Sequence, residues 1–126
     1  MIAKYGVGLD NIDLEACNKR NITIGWTGGV NKLSVAEMAL GFMLMFARNL
    51  FIASNNLKKG NWKKSAGFQL SEKTIGIIGL GHTGKELVRL LKPFNCKIIA
   101  NDIVDRDKYY DENNIEIASK DKLFKI

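Results

Sequence analysis

Cysteine, histidine and long apolar runs are scarce in these 126 residues, and each scarcity excludes a class of function. The two cysteines, Cys17 and Cys96, form no CxxC pair and have no histidine nearby, so no zinc site is expected. Two unpaired thiols suit a reducing cytoplasm. The longest uncharged apolar run, Met38 to Ala47, falls well short of the ~20 residues that span a bilayer. Met1 to Asp10 has no apolar core behind a basic start, so it does not read as a secretory signal. No membrane partner is expected, and the chain reads as soluble and cytoplasmic. Acid is the minority charge, 13 acidic against 19 basic residues, for a formal net charge of +6. The lysines are scattered, however, and the densest group, Lys58, Lys59, Lys63 and Lys64 around Gly60, reads as a solvated loop. Basic and aromatic residues are not interleaved as a stacking groove would need, so no nucleic-acid partner is expected. Internal repeats and low-complexity stretches are also missing. What remains, 46% hydrophobic and 25% charged, is the composition of an ordinary globular domain.

The chain punctuates itself with glycine. Tyr5-Gly6-Val7-Gly8-Leu9-Asp10 should be a tight turn into a short helix from Ile12 to Arg20, capped by Asp10 or Asn11 and stopped at Asn21. Ile22-Thr23-Ile24 is β-branched and reads as a short strand, followed by a loop through Thr27, Gly28 and Gly29. Ser34-Val35-Ala36-Glu37 has capping-box spacing and predicts a helix start. That helix should run through Met38, Leu40, Phe42, Leu44, Phe46, Leu50 and Ile52. Being apolar on nearly every face, it should be buried against more than one neighbour. A polar connector from about Ser54 to Thr74 follows.

The chemistry lies in what comes next. Thr74-Ile75-Gly76-Ile77-Ile78 is a short apolar run of the kind that forms a fully buried parallel strand. Directly after it stands Gly79-Leu80-Gly81-His82-Thr83-Gly84, and Lys85 to Leu91 has helical spacing up to Pro93. Strand, glycine loop and helix in this order make a phosphate cradle. Gly79 allows the tight turn, Gly81 lets the backbone approach a pyrophosphate, and Gly84 lets the helix pack against the strand. The helix N-terminus then offers N–H groups and roughly half a positive charge to the anion. A second apolar strand, Lys97 to Ala100, ends at Asp102, where an acid can accept the hydroxyls of a ribose. A carboxylate there repels a 2′-phosphate, so NAD is favoured over NADP, with Arg106 the one nearby residue that argues the other way. His82, the only histidine, sits in the glycine loop and is not expected to be an acid–base catalyst.

Taken together, Tyr5 to Asp13, Asn31 to Glu37, Ala47-Arg48-Asn49, the glycine loop and Asp102 resemble the D-isomer-specific 2-hydroxyacid dehydrogenases. The resemblance covers nearly the whole chain, and Gly28 stands where many members have proline. It implies an α/β fold containing a truncated Rossmann-type doubly wound parallel sheet. Residues 1–29 would be the end of a substrate domain and residues 30–126 the first half of an NAD-binding domain. It implies that Val7 and Gly8 offer backbone N–H groups to the carboxylate of a small 2-hydroxy or 2-keto acid. His82 and Thr83 would then contact the pyrophosphate, and Asp102 the adenosine ribose. The arginine that orients the keto acid in this family, and the histidine that, assisted by a glutamate, donates the proton, would follow the part present here, so no catalytic residue is assigned. A fragment, a split-gene product or the product of a decayed gene is the expectation, with a sheet cut after two strands and an apolar helix face open to a homodimer partner or a complementing fragment. The alternative is a non-catalytic dinucleotide-binding module.

Overall fold

The structure, a computed structural model, describes residues 1–104 and 107–125, so Arg106 lies outside the described residues. Two parallel sheets organise it. The smaller pairs β1 (Ile2–Ala3) with β2 (Ile24–Gly25). Between them α1 (Leu14–Lys19) starts later than its apolar spacing predicts. Its cap is Asp13, whose Oδ1 accepts the Ala16 N–H at 2.8 Å, rather than Asp10 or Asn11. Asn21 ends that turn in the left-handed region.

The larger sheet has the order β3 (Thr74–Ile78), β4 (Lys97–Asn101), β5 (Ile115–Ile117), all parallel. The first two strands stand where the apolar runs put them. The third corrects the expectation of a sheet ending after two strands: Ile115 and Ile117 flank a glutamate in a short run that periodicity does not flag. Helix α4 (His82–Leu91) connects β3 to β4, and α5 (Asp107–Glu112) precedes β5. The core lies between this sheet and its helices. Ile77, Ile98, Ala100 and Ile115 meet Leu80, Leu87, Val88, Leu91 and Tyr110, and Ala36 closes the cluster. On the other face α6 (Lys120–Leu123) covers Gly76, where an added Cβ would stand 3.2 Å from Leu123 Cδ2. Strand β3 is nevertheless not fully buried as its unbroken apolar run suggested. Among the described residues it pairs only with β4, and Ile78 remains 52% exposed.

Helix α2 (Lys32–Ala47) begins two residues before the capping-box serine. Ser34 therefore sits inside the first turn, where its hydroxyl donates to the Asn31 carbonyl at 3.0 Å instead of accepting an N–H. The expected single helix through Ile52 is two: α3 (Leu50–Lys58) leaves at a 65° bend. Its cause is the connector. Gly67 lies against the Ala47 carbonyl, which accepts the Phe68 N–H at 2.7 Å, while the Asn49 amide donates to Ser65 Oγ at 2.9 Å and Asn49 turns left-handed. The end of α2 is thus capped by residues that lie well downstream. No single helix among the described residues is long and apolar enough to cross a membrane.

Helix α2 buries one face, not several. Ala39, Leu40, Met43 and Leu44 pack on the core beside α4, whereas Met38, Phe42 and Phe46 are more than half exposed.

The outer strand β5 is tied by charge. Glu116 accepts from Lys97 at 2.8 Å and from Lys122, bridging β4, β5 and α6. These two bonds hold its carboxyl at about 2, below the ordinary 4.5. A pKa lowered by folding stabilises above the ordinary carboxylate range and loses that stabilisation as pH falls from about 4.5 toward about 2. Glu116→Gln is therefore expected to lower the melting temperature near neutrality and to flatten its fall across that acid window. Melting curves that coincide with wild type at every pH would remove this bridge from the account.

Candidate functional site

The glycine loop is held by its neighbours on every side. Its first residue, Gly79, adopts φ +93°, a conformation costly for a side-chain-bearing residue, and its N–H donates to the Asn101 carbonyl at 2.7 Å, so the loop leaves β3 against the end of β4. Leu80 is wholly buried and anchors the loop from below. Gly81 is the N-cap of α4. Gly84 lies buried against Gly79, whose carbonyl oxygen a Cβ at Gly84 would overlap. Around Gly81 an added Cβ meets nothing within 4 Å. The backbone of the loop is therefore fixed, by the close approach of Gly84 to the Gly79 carbonyl and by the Gly79 N–H bond to β4, while the space beside Gly81 is clear, as a phosphate cradle requires.

Asp102, at the end of β4, closes the arrangement. Its Oδ2 accepts the Leu80 N–H at 2.6 Å and its Oδ1 the Val104 N–H at 3.0 Å. Gly79, Gly81, Asn101, Asp102 and Ile103 line a groove of about 380 Å³. His82 and Thr83 open α4, with His82 exposed and Thr83 half-buried. The surroundings are basic: Lys32, Lys85 and Arg89 stand with His82 around Glu86, which pairs with Arg89 at 2.6 Å and with Lys32 at 3.9 Å. Such a field draws in an anionic ligand. The chain's residues thus fit a dinucleotide. A larger groove of about 560 Å³ along α3, lined by Leu50, Leu57 and Trp62, is apolar and lies away from the glycine loop.

Val7 and Gly8 follow β1 on a loop that Gly6 turns at φ +101°. Two contacts lead from them toward the glycine loop: the Trp26 indole N–H donates to the Val7 carbonyl at 2.8 Å, and the loop after Trp26 touches His82 at Gly29. Sequence reasoning had no role for Leu80, Trp26 or Gly29. The apolar residue between two loop glycines was the available signal for Leu80. Leu80→Ala is expected to cost about 2–5 kcal/mol, because a fully buried leucine leaves a cavity under the loop. Urea titration checks this, and a loss under about 1 kcal/mol would mean that the loop does not depend on its anchor.

A parallel strand, a glycine turn, a helix and an acid at the end of the next strand define a Rossmann-type dinucleotide-binding fold. Residues 40–126 match the family described as D-isomer specific 2-hydroxyacid dehydrogenase, NAD binding domain, and the chain belongs to that family. It is 40% identical to a hydroxypyruvate reductase of Thermotoga maritima over 99% of its own length and 40% of the relative's. It is 41% identical to a D-3-phosphoglycerate dehydrogenase of Methanocaldococcus jannaschii over 81% of its own length and 20% of the relative's. The D-lactate dehydrogenase of Aquifex aeolicus, solved with NAD and lactic acid, superposes with a TM-score of 0.85 at 28% identity, covering 97% of this chain and 37% of that one. The chain therefore spans two-fifths or less of the length of these relatives.

Proposed function

We propose that this chain forms the NAD-holding part of an oxidoreductase acting on a small 2-hydroxy or 2-keto acid. The observation that carries this reading is the glycine loop whose ends are locked and whose middle, at Gly81, is open above the N-terminus of α4. Gly79, Gly81, His82, Thr83 and Gly84 meet the pyrophosphate, mostly through backbone N–H groups that a helix leaves without internal acceptors. Asp102 accepts the ribose hydroxyls. Its oxygens already take two backbone N–H groups, but each carboxylate oxygen has more than one lone pair, so the two duties are compatible. The bound nicotinamide supplies the hydride chemistry.

Residues 1–29, carrying the small sheet, belong to a substrate domain, in which the Val7 and Gly8 N–H groups hold the acid's carboxylate; residues 30–126 belong to the cofactor domain. The exposed Met38, Phe42 and Phe46 face of α2 supports a homodimer or a complementing chain. The two free thiols suit a reducing cytoplasm.

Calorimetric titration with NADH and NADPH, with glyoxylate, pyruvate and hydroxypyruvate turnover followed on the same protein, tests the reading. Saturable binding that prefers NADH is expected. Folded protein that binds neither, or that prefers NADPH, contradicts the cofactor assignment.

A further inference from the structure

One line of contacts joins the Val7–Gly8 loop to the glycine loop. The Trp26 indole N–H donates to the Val7 carbonyl at 2.8 Å, and the same ring lies beneath Gly28, where an added Cβ would stand 3.0 Å from Cη2. The next residue, Gly29, is in the left-handed region at φ +74° and presses on the first residue of α4: a Cβ there would lie 2.5 Å from His82 Cγ and 2.8 Å from His82 Cβ. The second distance is the informative one. His82 Cβ does not move when its side chain rotates, so a methyl at position 29 cannot be accommodated by a rotamer change. Either the 27–31 loop or the start of α4 has to shift. Gly29 therefore touches the helix end that faces the proposed pyrophosphate, although it lies outside the glycine motif and on the chain segment that carries Val7 and Gly8.

We infer that Trp26 and Gly29 are positioning residues for the dinucleotide: they form a seat that sets where His82 and the first turn of α4 stand, and they couple that turn to the Val7–Gly8 loop. This rests on the NAD reading above. Gly29 also leads the chain into α2, its carbonyl accepting the Lys32 N–H at 3.1 Å. Gly29 at positive φ needs only to be glycine for its own turn, whereas its contact with His82 matters to a residue fifty-three positions further along the chain. The indole N–H is spent on a carbonyl within the Tyr5 to Asp10 loop, so a hydrogen bond joins ring and loop.

The test is a double-mutant cycle on NADH affinity in the full chain, with Gly29→Ala and His82→Gly made singly and together. His82→Gly removes the Cβ that an alanine at position 29 would strike, while the left-handed strain of that alanine is the same in both backgrounds and cancels. Gly29→Ala is expected to weaken NADH about tenfold when His82 is present and less than about twofold in the His82→Gly background. Because Gly29→Ala could cost the fold, Trp26→Phe, which removes only the indole N–H and part of the ring, is run through the same cycle. It should weaken NADH about threefold with His82 and negligibly without it.

The imidazole of the only histidine gives a second readout, since its NMR signal should move in Trp26→Phe protein before any NADH is added. Equal weakening in both backgrounds for each substitution, or an unmoved imidazole signal with unchanged affinity, overturns the inference and leaves NAD binding standing. Folded wild-type protein that does not bind NADH overturns the cofactor reading and the seat with it.

Discussion

Gly81→Val is expected to leave the protein folded and to abolish NADH binding, while Gly84→Val, three residues on, is expected to unfold the loop itself. The difference follows from where each side chain would go. Gly81 has φ −69°, outside the left-handed region, and its Cβ would meet nothing within 4 Å. A valine there costs about 1 kcal/mol as a poor N-cap. Its methyl groups fill the space directly above the N-terminus of α4, where the pyrophosphate must approach. Loss of affinity by about a hundredfold or more is expected, equivalent to about 2.7 kcal/mol. At Gly84 the new Cβ overlaps the carbonyl oxygen of Gly79, a backbone atom that no rotamer change can move. Separating them pushes α4 from β3 and unseats Leu80, so a cost at or above the usual 1–3 kcal/mol of overpacking is expected. Circular dichroism with NADH titration separates the two outcomes. Normal NADH affinity in Gly81→Val protein would mean that the phosphates do not pass over this helix.

Asp102→Ala is expected to damage both stability and cofactor choice. The alanine leaves the Leu80 and Val104 N–H groups without the acceptors that hold them at 2.6 and 3.0 Å, and the Leu80 N–H is part of the cradle. A lost partner for a partly buried donor costs roughly 1–3 kcal/mol. NADH should weaken about tenfold or more, and the gap to NADPH should narrow because the carboxylate that repels a 2′-phosphate has gone. Asp102→Asn separates these duties. It keeps one oxygen for the Leu80 N–H and should recover much of the stability, but without the negative charge it should not recover the preference for NADH. An Asp102→Asn protein that discriminates as well as wild type would mean that another residue reads the ribose.

The parts of the fold legible in the sequence were those governed by local sterics. β3 spans the residues its apolar run marked, and β4 runs one residue longer. The loop glycines meet distinct demands that can be recognised residue by residue: positive φ at Gly79, open space at Gly81, close approach at Gly84. The rest depends on distant partners. The bend at Asn49 is made by Ser65, Gly67 and Phe68, and no periodicity in α2 or α3 announces it. Strand β1 has two residues, too few to show alternation, and becomes a strand only because β2 offers a ladder. β5 hides behind a central glutamate whose partners, Lys97 and Lys122, come from two other elements. In the site, the strand–glycine loop–helix order and the place of Asp102 after β4 were legible in the sequence, and their duties toward a dinucleotide are what is proposed. The hydrogen bond by which Asp102 also shapes the cradle, and the seat made by Trp26 and Gly29, were not legible, since each joins residues far apart in the chain.

The central claim, that this chain holds NAD by its glycine loop, is tested most directly by following backbone amide signals during an NADH titration. Saturable shifts centred on residues 79–84, with Asp102 and Gly29 moving in step, are the predicted result. Shifts confined to the apolar groove of Leu50, Leu57 and Trp62, or no saturable shift in folded protein, would contradict it.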